Sequence, residues 1–207
     1  RHEKLLRVLE TVEPQPLRRR ERTAIKRENE RQGCFMQMER KQGSELAMFL
    51  ALAFLLQSFR LLMPMIPGPV NMFLIGSLLN MIMALAIWRT RTRWAAIIGV
   101  LLPIGAFFQG QLPIAPMLPV VAAGNAVFTL AVFALGPRRR AYAAPFLKAA
   151  VLFTGTHLVL QMLDLPAPMA NVLTFMMSWP QIVTGCLGIF LGRALLKRLP
   201  EHNTFHR

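Results

Sequence analysis

The stretch Val70-Asn-Met-Phe-Leu-Ile-Gly-Ser-Leu-Leu-Asn-Met-Ile-Met-Ala-Leu-Ala-Ile-Trp88 is largely apolar, and Arg89-Thr-Arg-Thr-Arg93 follows it at once. About 20 mostly apolar residues suffice for a helix to cross the ~30 Å hydrocarbon core of a membrane. Lys and Arg residues in short loops stay on the cytoplasmic side. The stretch therefore predicts a transmembrane helix whose C-terminal end faces the cytoplasm.

Five further apolar stretches flank this one. The six predicted spans are residues 46–63, 70–88, 94–109, 116–135, 144–163 and 169–195. If the six spans cross the membrane in alternating directions, all but one of the 24 Lys and Arg residues lie on the same side of the membrane. The exception is Arg60. In this interpretation Lys148, near the start of the fifth span, is counted with Arg138–Arg140 on the cytoplasmic side. The sequence predicts an all-α bundle of six transmembrane helices in the cytoplasmic membrane, with both termini inside.

The distribution of charge predicts three parts. Residues 1–45 hold 12 basic and 8 acidic side chains, which predicts a charged cytoplasmic tail, disordered or partly helical. A natural start at Met36 or Met38 stays open. Residues 46–199 form the predicted transmembrane domain, and residues 200–207 form a short cytoplasmic tail. The net charge of +14 does not predict nucleic-acid binding, because the basic clusters lie at helix ends, next to lipid headgroups.

Sequence signatures of enzymes are missing. The sequence has no H-E-x-x-H, no phosphate-binding loop and no G-x-S-x-G, so we predict neither an enzyme nor an ATPase. Its two cysteines, Cys34 and Cys186, are too few for an iron–sulfur cluster, and we predict no cofactor or metal. A self-sufficient proton-coupled transporter is disfavoured, because the one acid near a span, Asp164, lies in a loop.

Neutral polar side chains are spread through the predicted spans. A buried amide needs a hydrogen-bond partner, so bonding between helices is the common role for any single one. As a group, those near the outer ends of the spans favour a cavity for a small organic solute with a polar head. We predict such a site in the outer half of the bundle, formed by Asn71, Gln109, Asn125 and His157. His157 can reach it only if the fifth span packs against the fourth.

Small residues recur at helical spacing, which allows helices to approach closely. Ala47 and Ala51 lie one turn apart in the first span, and Gly124 adjoins Asn125 in the fourth. Three glycines mark one side of the sixth span, namely Gly185, Gly188 and Gly192. For the fourth and sixth spans we predict packing within the chain.

Residues 46–196 resemble the substrate-binding S component of an energy-coupling-factor transporter. The more detailed resemblance is to small uncharacterised S-component-like proteins of anaerobic Gram-positive bacteria. The segments that carry it are Pro67-Gly-Pro-Val-Asn71, Asn80, Pro116-Met-Leu-Pro119, Gly124-Asn125 and Ser178-Trp-Pro-Gln-Ile-Val-Thr184.

The resemblance implies uptake of a micronutrient. It also implies that Ala47 and Ala51 contact a transmembrane coupling subunit, which acts with a pair of ATPases. The identity of the solute does not carry over. The alternative is a membrane protein outside transport that acts as a structural or assembly factor.

Overall fold

The structure, a computed structural model, describes residues 40–59, 61, 68–112, 114–163 and 165–198. Residues 1–39 of the predicted N-terminal tail and the whole predicted C-terminal tail, 200–207, lie outside the described residues, as do Cys34 and Asp164. The described residues from Gly43 onward form one compact unit. Every regular element in the described ranges is helical. The α-helices are α1 (Arg40–Phe59), α2 (Gly68–Thr90), α3 (Ala96–Phe108), α4 (Met117–Leu135), α5 (Ala144–Met162), α6 (Ala167–Met176) and α7 (Trp179–Leu196).

Five helical segments are long and apolar enough to cross a membrane. They are Arg40–Phe59, Val70–Thr90, Met117–Leu135, Arg139–Met162 and Ala167–Leu196. The remaining predicted span corresponds to the shorter apolar segment Arg93–Phe108. Large apolar side chains such as Leu55, Phe108 and Met162 are exposed on the outside of the bundle, where lipid can cover them. The chain is therefore a helical, multi-pass membrane protein.

Helix α2 is the central helix of the bundle. All residues from Ile82 to Trp88 are buried, as expected for a helix that is apolar on every side. Helix α7 packs along α2 in the same direction, since Gly76 meets Thr184 and Gly192 meets Trp88. Between these contacts, a Cβ atom on Gly188 would lie 2.8 Å from the backbone nitrogen of Met81. The two backbones therefore touch at this glycine.

The other helices pack around this pair. Helices α4 and α5 are antiparallel, because Gly124 meets Leu152 whereas Gly155 meets Val120. Helix α1 lies against α3, where Gly105 accommodates the ring of Phe54. The predicted intramolecular role of the small residues in the fourth and sixth spans is thus confirmed.

The sixth predicted span corresponds to Ala167–Leu196 and consists of two helices, α6 and α7, with a break between them. The break falls at Met177 and Ser178, immediately before Trp179 and Pro180. Proline lacks the N–H donor that a continuous helix needs, and it disfavours helical geometry in the residue before it. Non-helical backbone at membrane depth is tolerated only where protein surrounds it or where it lines a cavity.

Candidate functional site

A cavity of about 160 Å³ lies within the bundle. Along α2 its wall runs from Met72 to Met83, a rise of roughly 16 Å. Its apolar lining includes Met72, Ile75, Leu79, Met83, Leu102 and Val121. Its polar lining consists of Gln57, Asn80, Gln111, Asn125, Lys148, Gln181 and Thr184. These polar residues come from α1, α2, α4, α5, α7 and the loop after α3, so the bundle gathers them from across the chain.

Lys148 is the charged residue of this lining. It lies one turn into α5 and is 5% exposed, so it belongs to the interior of the bundle and not with the exposed basic residues Arg138–Arg140. Its Nζ donates to Asn80 Oδ1 at 2.8 Å, and Asn80 Nδ2 donates to Thr184 Oγ1 at 3.4 Å. The Phe128 ring lies 5.4 Å from the Lys148 nitrogen, within the range of a cation–π contact. These contacts connect α2, α4, α5 and α7.

Asn125 compensates for a proline in the neighbouring helix. Pro103 lies inside α3 and has no N–H to donate to the carbonyl of Gly99, four residues earlier. Asn125 Nδ2 donates to that Gly99 carbonyl at 3.0 Å. The predicted site residue therefore has a structural role as well as a place in the cavity wall.

Gln181 plays the corresponding role at the break before α7. Pro180 cannot donate to the carbonyl of Met176, four residues earlier. Gln181 Nε2 donates to this carbonyl at 2.9 Å. Met176, Met177 and Gln181 all line the cavity, so the broken backbone contributes to its wall.

Glutamines form the polar wall near the junction of α1 and α3. Gln57 is almost fully buried and donates through Nε2 to the Leu102 carbonyl at 3.3 Å. Its Oε1 is buried and has no hydrogen-bond partner among the described residues. Gln111 Nε2 donates to the backbone carbonyl of Gln57 at 3.1 Å and to Gln109 Oε1 at 2.7 Å. Gln109 Nε2 donates in turn to Ser58 Oγ at 2.9 Å.

Of the four predicted site residues, only Asn125 lies in the lining of this cavity. Gln109 is one hydrogen bond behind it, through Gln111. Asn71 is buried in α2, one position before the lining residue Met72. The structure thus brings two of the four, Asn125 and Gln109, to or beside the cavity. The assignment of a solute site stays a prediction.

His157 lies away from the cavity, which corrects its place in the predicted set. Helix α5 does pack against α4, as the prediction required, but His157 is exposed and its ring packs edge-on against Phe153 at 4.4 Å. Nine positions separate it from Lys148, and at about 100° per residue this places the two on opposite faces of α5. The imidazole therefore faces the surface of the bundle.

Sequence reasoning missed Lys148, Asn80 and Thr184 as neighbours in one site. The available signal was a single lysine inside the apolar run Phe146-Leu-Lys-Ala-Ala-Val151, following Pro145. Proline is common in the first turn of a helix, and this start places Lys148 inside the span.

The arrangement is suited to binding by hydrogen bonds and charge. The described lining contains no carboxylate, cysteine or imidazole. No group of three or more His, Cys, Asp or Glu residues in the described part of the chain could hold a metal ion. What the cavity offers is one lysine side chain, several amides and an apolar wall. In comparisons with family models, curated proteins and solved structures, the chain has no match.

Proposed function

We propose that the protein is a membrane-embedded solute-binding subunit for uptake of a small organic micronutrient. A separate transmembrane coupling subunit and a pair of ATPases supply the energy. The observation that carries the proposal is the cavity itself, since polar side chains converge on a partly open cavity in an otherwise apolar bundle. Small-molecule sites have this composition, with mostly apolar walls and a few placed polar groups.

A second observation supports a partner in the membrane. Ala47 and Ala51 are both exposed on α1, beside the exposed apolar side chains of Met48, Leu52 and Leu55. Small residues one turn apart allow another helix to approach closely. The coupling subunit is the partner proposed for this face.

The alternative function is that of a structural or assembly factor for another membrane complex. The observation that favours it is the use of Asn125 and Gln181 to satisfy backbone carbonyls. Amides that serve only the fold need no solute.

The two functions differ in what accompanies the chain out of the membrane. We expect gentle detergent extraction of the tagged full-length chain from its native membrane to retain a second membrane protein and an ATPase. Mass spectrometry of the proteins and of the released small molecules would identify them and the solute. Recovery of neither an ATPase nor a solute would favour the assembly role.

The alanine face can be tested in the same preparation. Tryptophan at Ala47 and Ala51 would block close helix approach, so we expect loss of the coupling subunit with unchanged melting temperature and solute retention. Ala150→Trp is the matched control, since Ala150 is an exposed alanine on α5. A fall in melting temperature confined to the α1 variant would show that the two alanines pack within the chain instead.

A further inference from the structure

The cavity contains a lysine that no carboxylate in its described lining balances. Lys148 is buried, and the acceptor that its Nζ meets is the neutral amide oxygen of Asn80. An ion in a low-dielectric interior loses most of its hydration, and one neutral hydrogen bond restores little of that loss. Ionisable residues at membrane depth commonly mark ligand or ion pathways.

The geometry leaves part of the ammonium group available to a ligand. A lysine ammonium has three N–H donors, and the bond to Asn80 uses one of them. The aromatic face of Phe128 is a second, weaker partner. Lys148 lines the cavity, so a solute can accept from the donors that Asn80 leaves.

The rest of the wall indicates an organic molecule rather than a bare ion. Leu79, Met83, Leu102 and Val121 present apolar surface to the same space as Lys148. A cavity of about 160 Å³ is similar in size to an engineered cavity of about 150 Å³ that binds benzene. An apolar body with one anionic group would match both the wall and the cation.

We propose that the solute is a small organic acid whose carboxylate binds Lys148. The binding position is the part of the cavity wall where Lys148 is hydrogen-bonded to Asn80, and Asn80 to Thr184. This inference rests on the proposed function as a solute-binding subunit and adds the charge of the solute. Asn80 acts as a positioning residue, because its oxygen fixes the ammonium group while Thr184 fixes the amide.

The test compares acids with uncharged molecules of the same shape. The probes are small carboxylic acids, from acetate to benzoate, each paired with its primary amide. They are added to the purified full-length chain in lipid nanodiscs, and the melting temperature is followed by tryptophan fluorescence. We expect at least one acid to raise the melting temperature while its amide does not. Chloride and phosphate at the same ionic strength distinguish a simple anion site, which either ion alone would saturate, from a site for an organic acid.

Three variants assign the effect to Lys148. Lys148→Met removes the charge, and we expect roughly ten- to hundredfold weaker binding of the acid. Lys148→Gln keeps an N–H donor for Asn80 without the charge and should show the same loss, which covers the case in which the methionine variant folds poorly. Lys197→Met is the matched control, since it removes an exposed lysine at the end of α7 and should leave binding unchanged.

Several outcomes would overturn the inference. One is an amide that raises the melting temperature as much as its acid, and another is a Lys148→Gln variant that still prefers acids. Saturation of the site by chloride or phosphate alone would also contradict it. So would a wild-type chain that no acid in the set stabilises. Failure of the proposed function is distinguishable. A chain that binds acids through Lys148 but never associates with an ATPase retains this inference and loses the transport role. A chain that associates with ATPases but prefers amides retains the transport role and loses this inference.

Discussion

Asn125 has two roles that substitution can separate, since its amide nitrogen bonds the Gly99 carbonyl while its side chain lines the cavity. We expect Asn125→Ala to lower the free energy of unfolding by about 1–2 kcal/mol, because it leaves that buried carbonyl without a donor. Pro103→Ala supplies a backbone N–H at the position from which a helix bonds Gly99. In that background Asn125→Ala should cost clearly less.

The measurement is a double-mutant cycle of unfolding free energies in mixed micelles, with solute affinity determined for each variant. Two residues that share one carbonyl should show a coupling energy above about 0.5 kcal/mol. Strict additivity would mean that Asn125 does not compensate for Pro103. A loss of affinity without a loss of stability would instead assign Asn125 to the solute.

Asn80→Asp gives a second prediction at the same scale. A carboxylate at this position would pair with Lys148 inside the protein, so we expect a higher melting temperature. The same pairing occupies the ammonium group, so we expect about tenfold weaker binding of an acid. Asn80→Ala is the control, since it removes the acceptor of Lys148 and should lower both quantities. Unchanged affinity in Asn80→Asp would contradict the placement of the carboxylate at Lys148.

At this scale the sequence predicted the presence of buried amides but not their partners. Asn125 could be singled out, because it is an amide between small residues within an apolar run. Its bond to Gly99 depends on which helix lies beside α4, and no local pattern specifies this. Lys148 lies within the predicted fifth span but was grouped by charge with Arg138–Arg140, and only the packing of α2 and α4 against α5 shows that it is buried.

Among the glycines of the described helices, Gly188 on α7 lies closest to the backbone of another helix, α2. A methyl group at Gly188 would lie 2.9 Å from the Ser77 carbonyl oxygen and 2.8 Å from the Met81 nitrogen, and backbone atoms cannot move aside singly. We expect Gly188→Ala to lower the unfolding free energy by about 1–3 kcal/mol. It should also weaken solute binding, because α7 carries Thr184 to Asn80.

Gly76→Ala is the matched control on the opposing helix. Its methyl group would meet the Thr184 Cγ2 atom at 3.3 Å, and a side chain can shift by a few tenths of an ångström. We expect a cost below about 1 kcal/mol, measured as for Gly188→Ala. Equal costs at the two glycines would contradict the close backbone contact at Gly188.

Helix positions were largely predictable because a membrane span must be apolar and about 20 residues long. The break within Ala167–Leu196 was not predicted, although Pro180 marks its position. Proline inside a span is compatible with a kink or with a break, and the outcome depends on neighbours that satisfy the freed carbonyl. Here Gln181 supplies that donor.

For the molecule as a whole, orientation in the membrane is a prediction from the basic residues. Exposed arginines lie in the loops at Arg91, Arg93 and Arg138–Arg140, and the proposed topology places them in the cytoplasm. With Cys34 and Cys186 replaced, single cysteines introduced in these loops should resist membrane-impermeant thiol reagents in intact cells. They should react after the cells are permeabilised, and labelling from outside would reverse the orientation.

A cavity with polar groups in its wall could be predicted from the sequence, but the residues that line it could not. A bundle that is apolar on all sides gives no periodic signal for which face of a helix points inward. For this reason the sequence could not show which of His157 and Lys148, on opposite faces of α5, points into the bundle. The parallel packing of α2 and α7 brings Asn80 and Thr184 together, and this pairing joins residues 104 positions apart.

The hydrogen-bonded residues Asn80, Lys148 and Thr184 are synthesised at different times, because they lie on α2, α5 and α7. During synthesis Asn80 enters the membrane first, Lys148 second and Thr184 last. A lysine in an inserting helix costs free energy, up to about 2.5–3.5 kcal/mol at the helix centre, and the amide oxygen that receives Lys148 is already in place. A nascent chain halted before α7 would hold that lysine beside a wall that still lacks Gln181 and Thr184, so we expect such a truncated chain to be degraded faster than the complete one.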